Sequence, residues 1–266
     1  MSDRIVVHVE GHVADVRMDR TDKLNALDYE MFQALIETGR SLATTKGVRA
    51  VVLSGNGRAF CAGLDFASFM AMAGSGGPTL LDRDGSSPAN TAQLAAYVWK
   101  ELPVPVIAAV HGVCYGGGLQ IAAGADIRIV HPEAKLSIRE MYWGLVPDMS
   151  GTRTLKHLLR ADVLKELTFT ARIVSGTEAV ALGLCTRASD DPHAAAMELA
   201  AQIAASAPNT MRAAKRLIDD AYRIPDDETG LLLEEKLQRS VLQTPNQIEA
   251  VQANMMKRPA EFTDPD

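Results

Sequence analysis

The chain has 266 residues and a formal net charge of −6, with 47% hydrophobic and 23% charged residues. That balance is ordinary for a globular protein near the upper limit of a single core, and the acidity argues against nucleic acid as the main partner. No apolar run approaches the roughly 20 residues that span a bilayer, so no membrane span is expected, and the N-terminus lacks the apolar core of an export signal. Cys61, Cys114 and Cys185 are odd in number and lie in or beside apolar runs. Reduced, buried thiols in a cytoplasmic protein are expected from that pattern.

Residues Ile5 to Val9 and Val13 to Met18 alternate apolar with polar around Glu10-Gly11-His12, which predicts a β-hairpin. His8, Glu10 and His12 share one face of it. Without a further His or Cys cluster they read as solvent-facing positions of an edge hairpin, and no metal site is expected. Asp28 is placed to cap a helix running to about Ala43. Val48 to Leu53 predicts a buried strand. The Gly55-Asn56-Gly57 that follows is not a dinucleotide fingerprint, because its sixth position is Phe60.

Gly74 to Asn90 loses apolar periodicity and is rich in Gly, Ser and Pro, so a long surface loop is expected at the mouth of an acyl pocket. Thr91 to Leu102 resumes a helix. Val104 to Val110 then predicts a buried strand, Gly116, Gly117 and Gly118 a turn, and Leu119 to Ala125 a helix. Strand, glycine turn and helix together point free backbone N–H groups at a polarised oxygen. Further strands are predicted at Asp126 to Val130, Ala134 to Ile138 and Leu184 to Ala188. Glu140 to Asp148 is a turn-rich connection, with helices over 152–159 and 161–168. Ser175 to Glu178 has the form of a capping box before another helix. From Asp191-Pro192 onward only helix starts recur, at Pro208-Asn209, Asp226 and Thr244-Pro245. The chain thus divides into an α/β core over 1–195 and a helical region over 196–266.

The stretches Val51 to Asp65 and Pro103 to Asp126 together resemble the two halves of the crotonase (enoyl-CoA hydratase/isomerase) signature, and the likeness covers almost the whole chain. The resemblance implies an α/β spiral of repeated ββα units, with a C-terminal α-helical oligomerisation region that builds homotrimers or dimers of trimers. It implies an acyl-CoA thioester substrate, with coenzyme A arriving as part of that substrate and no permanently bound cofactor. The family's two oxyanion N–H donors fall on Leu64 and Gly117. Its coenzyme contacts fall on Arg20, Lys23, Arg58 and the backbone of Ala62, and on Lys257 reaching a neighbouring subunit, with Phe262 as the aromatic near the chain end.

Hydratases of the family use two glutamates, which fall here on Gln120 and Glu140. A glutamine amide can orient groups but cannot accept a proton near neutral pH. Asp148 stands where the dienoyl-CoA isomerase branch carries a second acid; capping the helix near Thr152 is its alternative role. The leading expectation is therefore double-bond isomerisation with Glu140 as proton shuttle. Hydration of a 2-enoyl-CoA and a catalytically inactive acyl-CoA-binding protein are the competing readings. A serine hydrolase built on His111 and Ser150 is set aside, because no Gly-x-Ser-x-Gly elbow is present. The acyl preference is expected to depend on the 74–90 loop and on Tyr142 and Trp143.

Overall fold

The N-terminal alternation forms the expected hairpin, β1 (Ile5–Glu10) antiparallel to β2 (Val13–Met18), in a computed structural model that describes residues 3–72 and 79–265. β3 (Ala50–Gly55), β4 (Val106–Val110), β6 (Ile127–Val130) and β9 (Arg187–Ala188) join β2 in parallel, giving the order β1-β2-β3-β4-β6-β9. β5 (Val113–Tyr115), β7 (Lys135–Ser137) and β8 (Val174–Ser175) make a second, small sheet. The chain passes from the large sheet to the small one, β4 to β5 and β6 to β7, before it turns into helix. That is the expected ββα spiral. β5 and β8 carry no periodic signal in the sequence: they have three and two residues and are defined by their partners.

The helices are α1 (Tyr29–Thr44), α2 (Phe66–Met72), α3 (Thr91–Glu101), α4 (Gly117–Gly124), α5 (Gly151–Thr154), α6 (Ala161–Thr170) and α7 (Gly176–Leu182), then α8 (Pro192–Ala204), α9 (Pro208–Ala221), α10 (Asp227–Val241) and α11 (Pro245–Met256). Asp28 caps α1 through the Met31 N–H, and Ser175 caps α7 through the Glu178 N–H. α4 begins two residues earlier than expected, so Gly117 and Gly118 form its first turn.

Successive residues of a strand face opposite sides of its sheet. Val16, Leu53, Ala108 and Val130 accordingly join a large apolar cluster with α1, α3 and α4, while Val13, Val52, Ile107 and Ile129 join a second cluster on the other face. Ala196, Ala200 and Ala204 of α8, four residues apart on one helix face, cover that second side. The expected division at residue 195 falls inside this helix, which packs against the sheet. Arg49 fastens the chain end to the same region: its Nε lies 2.6 Å from Asp264 Oδ1, and its Nη2 donates to the Phe262 carbonyl at 3.0 Å.

Candidate active site

The site begins with Asn25, whose short polar side chain tolerates the left-handed φ of 56° it adopts. Its amide donates to the carbonyls of Asn56, Ala59 and Phe60 at 3.0, 2.8 and 3.2 Å. Residues 24–27 are thereby drawn alongside 61–65: Ala62 N–H donates to Leu24 O at 3.0 Å, and Leu27 N–H to Gly63 O at 2.8 Å. On the opposite side Cys61 N–H donates to Val113 O, and Tyr115 N–H to Cys61 O, both at 3.0 Å. Two glycines let these backbones close. A Cβ on Gly63, where φ is 90°, would lie 2.8 Å from the Tyr115 carbonyl oxygen, and one on Gly118 would lie 2.5 Å from that of Cys61.

Gly117 opens α4, so its N–H has no acceptor within the helix. Among the described residues the Leu64 N–H likewise donates to no backbone carbonyl. Both residues line one cleft of about 280 Å³, together with Glu140 and the aromatic Phe66, Tyr142 and Trp143. Phe66 and Trp143 stack with ring centroids 4.4 Å apart, and Arg139 lies 4.1 Å from the centre of the Tyr142 ring. Larger hollows of about 710 and 480 Å³ open against α3 and α9, where Lys100 pairs with Asp219. Neither holds a pair of glycine-turn N–H groups beside a buried acid, so chemistry rather than size marks the site.

Glu140 opens a 3-10 turn (Glu140–Trp143) after β7 and is 8% exposed. Burial pushes its carboxyl above the usual range; the Asp148 charge adds to that, while its own backbone N–H and the Gln120 amide partly offset it. Gln120 Nε2 donates to Glu140 Oε1 at 2.5 Å. Glu140 Oε2 is buried and has no hydrogen-bond partner among the described residues. Gln120 itself is 1% exposed, and its Oε1 accepts from the Met149 and Gly151 N–H groups, both at 2.9 Å. Asp148 is exposed by its overall surface, yet crowding by neighbouring atoms still raises its carboxyl. It does not cap the following helix: α5 starts after Ser150, with no side-chain cap.

Arg20 departs from its expected role. Its side chain is 11% exposed, its Nη1 lies 2.8 Å from Asp65 and 3.0 Å from the Ala26 carbonyl, and its Nε lies 3.3 Å from Asp28. A guanidinium held by two carboxylates is committed to joining α1 to the Leu64 segment rather than offered to a phosphate. Lys23, Arg58 and Lys257 are exposed, and Ala62 lines the cleft. His12 Nδ1 meets the Gly47 carbonyl at 2.8 Å and His8 pairs with Glu10. Among the described residues no group of three or more His, Cys, Asp or Glu could hold a metal ion.

Of the expected 74–90 loop, residues 74–78 lie outside the described residues. The remainder is tied to α1 by Arg40 and Asp84 and does not line the cleft. Burial pushes the Cys61 thiol up to about 12 and the Cys185 thiol to about 11, which makes both poor nucleophiles. Arg20–Asp65 and the Gln120 contacts leave no local signal, because Asp65, Glu140, Met149 and Gly151 lie in distant segments of the chain.

A family model described as enoyl-CoA hydratase/isomerase matches residues 8–265. The mouse mitochondrial Delta(3,5)-Delta(2,4)-dienoyl-CoA isomerase is 32% identical, over 95% of this chain and 79% of its own length. The mouse mitochondrial methylglutaconyl-CoA hydratase is 30% identical, over 90% of this chain and 75% of its own length. Among solved structures, an enoyl-CoA hydratase from Bacillus anthracis superposes with a TM-score of 0.87 at 29% identity, covering 97% of this chain and 98% of the other.

Proposed function

The chain belongs to the enoyl-CoA hydratase/isomerase family, and from that premise we propose that it shifts a double bond in an enoyl- or dienoyl-CoA, with Glu140 as the proton shuttle. The observation that carries this reading is Glu140, the one carboxylate among the described residues that line the cleft, bonded to a glutamine at the other acid position. The thioester oxygen is received by the Leu64 and Gly117 N–H groups. Glu140 takes a proton from the carbon next to the thioester carbonyl, and the C–H electron pair spreads onto that oxygen. The proton then returns to the far end of the unsaturated system, the double bond moves and the carboxylate is restored. Removing one preorganised oxyanion donor typically costs roughly 3 kcal/mol of barrier, which sets the scale of that contribution.

Hydration instead delivers a hydroxyl to one carbon and a proton to its neighbour, work that favours two carboxyls around one water. Gln120 cannot supply the second. Asp148, whose charge reaches Glu140, is the partner we assign for a dienoyl substrate, where the two carbons lie farther apart. The same residue is what a hydratase reading would rest on. Coenzyme A arrives with the substrate. Lys23, Arg58 and the Ala62 backbone are the proposed contacts within the subunit, with Lys257 reaching a neighbour in a homotrimer or dimer of trimers. The buried thiols suit a cytoplasmic setting.

The test is incubation with 2-enoyl-, 3-enoyl- and 3,5-dienoyl-CoA, with products separated by chromatography and mass. Isomerised product should form faster than 3-hydroxyacyl-CoA. Glu140→Gln should lower turnover by at least about 10²-fold, the lower end for general acid–base catalysis. Faster hydration than isomerisation, or undiminished isomerisation by Glu140→Gln, sinks the reading.

A further inference from the structure

Gln120 occupies an acid position of the family but is too well bonded to be a passive replacement. Its oxygen takes two backbone N–H groups, from Met149 and Gly151, both at 2.9 Å. Those groups can only donate, so the amide orientation is fixed and the NH₂ must face Glu140 Oε1, 2.5 Å away. The chain is shaped to receive it. Ser150 adopts a left-handed φ of 64°, which turns its two flanking N–H groups onto one oxygen. A Cβ on Gly151 would lie 2.6 Å from Gln120 Oε1, so a glycine is needed where the amide oxygen sits.

We infer that Gln120 is a positioning residue that clamps Glu140 by Oε1 and so holds the carboxyl in one orientation at the wall of the cleft for proton transfer. An amide N–H only donates, so Oε1 stays an acceptor whether or not the carboxyl is protonated. Oε2 is buried and has no partner among the described residues, so nothing there competes with the Gln120 bond in orienting the carboxyl. Pick-up and delivery then occur with the carboxyl in a fixed orientation. The clamp also favours the charged carboxylate, opposing the upward push of burial. The inference rests on the isomerase reading only where turnover is the readout.

The experiment uses full-length Gln120→Leu, Gly151→Ala and Gln120→Glu. The buried carboxyl of the resting enzyme is titrated by infrared difference spectroscopy, and Glu140→Gln identifies its band. Isomerisation of 3-enoyl-CoA is followed across pH. With the donor to the carboxylate removed or displaced, the Glu140 midpoint should move to higher pH in Gln120→Leu and Gly151→Ala. Their kcat should fall ~10–100-fold, the scale of a small misplacement of a catalytic group, with KM little changed. Gln120→Glu keeps an acceptor for both N–H groups and can donate to Glu140 only while the introduced carboxyl is protonated. It should therefore rescue kcat at low pH and lose it as pH rises, a limb the natural protein lacks.

Unmoved midpoints in Gln120→Leu and Gly151→Ala, measured on folded protein by circular dichroism, overturn the clamp. Should the leucine variant not fold, the absence of both a midpoint shift in Gly151→Ala and an alkaline limb in Gln120→Glu overturns it equally. A natural protein that does not isomerise refutes the proposed reaction, and the infrared midpoints still decide the clamp.

Discussion

Gly117 and Gly118 are neighbours of identical chemistry, yet they face different surroundings. A Cβ on Gly118 would meet the Cys61 carbonyl oxygen at 2.5 Å and the Cys61 Cβ at 2.7 Å, atoms fixed in the opposing backbone. On Gly117 it would meet Met149 Sδ at 2.6 Å and Leu27 Cδ1 at 2.8 Å, the ends of flexible side chains. Gly118→Ala should therefore destabilise by about 1–3 kcal/mol, the range for overpacking, and Gly117→Ala by less. Activity should rank differently, because Gly117→Ala presses on Met149, whose N–H holds Gln120, and disturbs a proposed oxyanion donor. Thermal melts beside kcat check this; a lower melting temperature for Gly117→Ala than for Gly118→Ala contradicts it. The triple glycine was legible as a unit in the sequence. Which wall each glycine meets was not, since Cys61, Leu27 and Met149 come from three separate segments. Gln120 read as a lost acid, and only its contacts show a bonded clamp.

Local signals served the helices well and the long-range ion pairs poorly. Asp28, Asn90, Ser175, Asp191, Asp226 and Thr244 each cap a helix by accepting a first-turn N–H. Such a bond spans three residues, so the sequence carries it whole. Arg20 read as a coenzyme contact because neighbouring residues cannot show that Asp65 lies 2.8 Å away. That pair joins the turn before α1 to the segment bearing Leu64. Arg20→Ala would take the cation from the nearly buried Asp65, while Asp28 keeps Arg4 at 2.7 Å, and it should cost about 3 kcal/mol, the lower end for a broken buried pair. Burial alone would raise Asp65, but hydrogen bonds from Arg20 and Ser68 outweigh it and hold its carboxyl at about 2, against an ordinary 3.8. A depressed folded value adds stability in full above about pH 4, and that stability fades as pH falls toward about 2. The stability gap between the natural protein and Arg20→Ala, read from urea unfolding, should narrow across that window. A gap that stays constant from pH 6 to pH 2 speaks against the pair.

The whole molecule buries the central strands of its large sheet on both faces but leaves the edge strand β1 and its last helices largely uncovered. The large sheet sits between the α1–α3–α4 cluster and the alanine face of α8, so the core closes without α10 and α11 contributing much. Tyr222, Leu231, Leu232, Met255 and Met256 remain exposed, Leu231 at 64% and Met255 at 81%. Exposed apolar side chains gathered on these helices are what an interaction surface would present. The exposed Tyr142, Trp143 and Val146 beside the cleft carry the same mark. Helices of a second copy laid on that rim would exclude water from the cleft and strengthen the Leu64 and Gly117 N–H groups in their proposed role as oxyanion donors, since charge is held more strongly where water is absent. Assembly and catalysis would then be linked. Light scattering should give about three times the 28.6 kDa of one chain, or twice that again. Leu231→Asp with Leu232→Asp should lower the mass and the turnover together, while circular dichroism stays unchanged. A single-chain mass for the natural protein at working concentration, or full activity in a monomeric double variant, rules the linkage out.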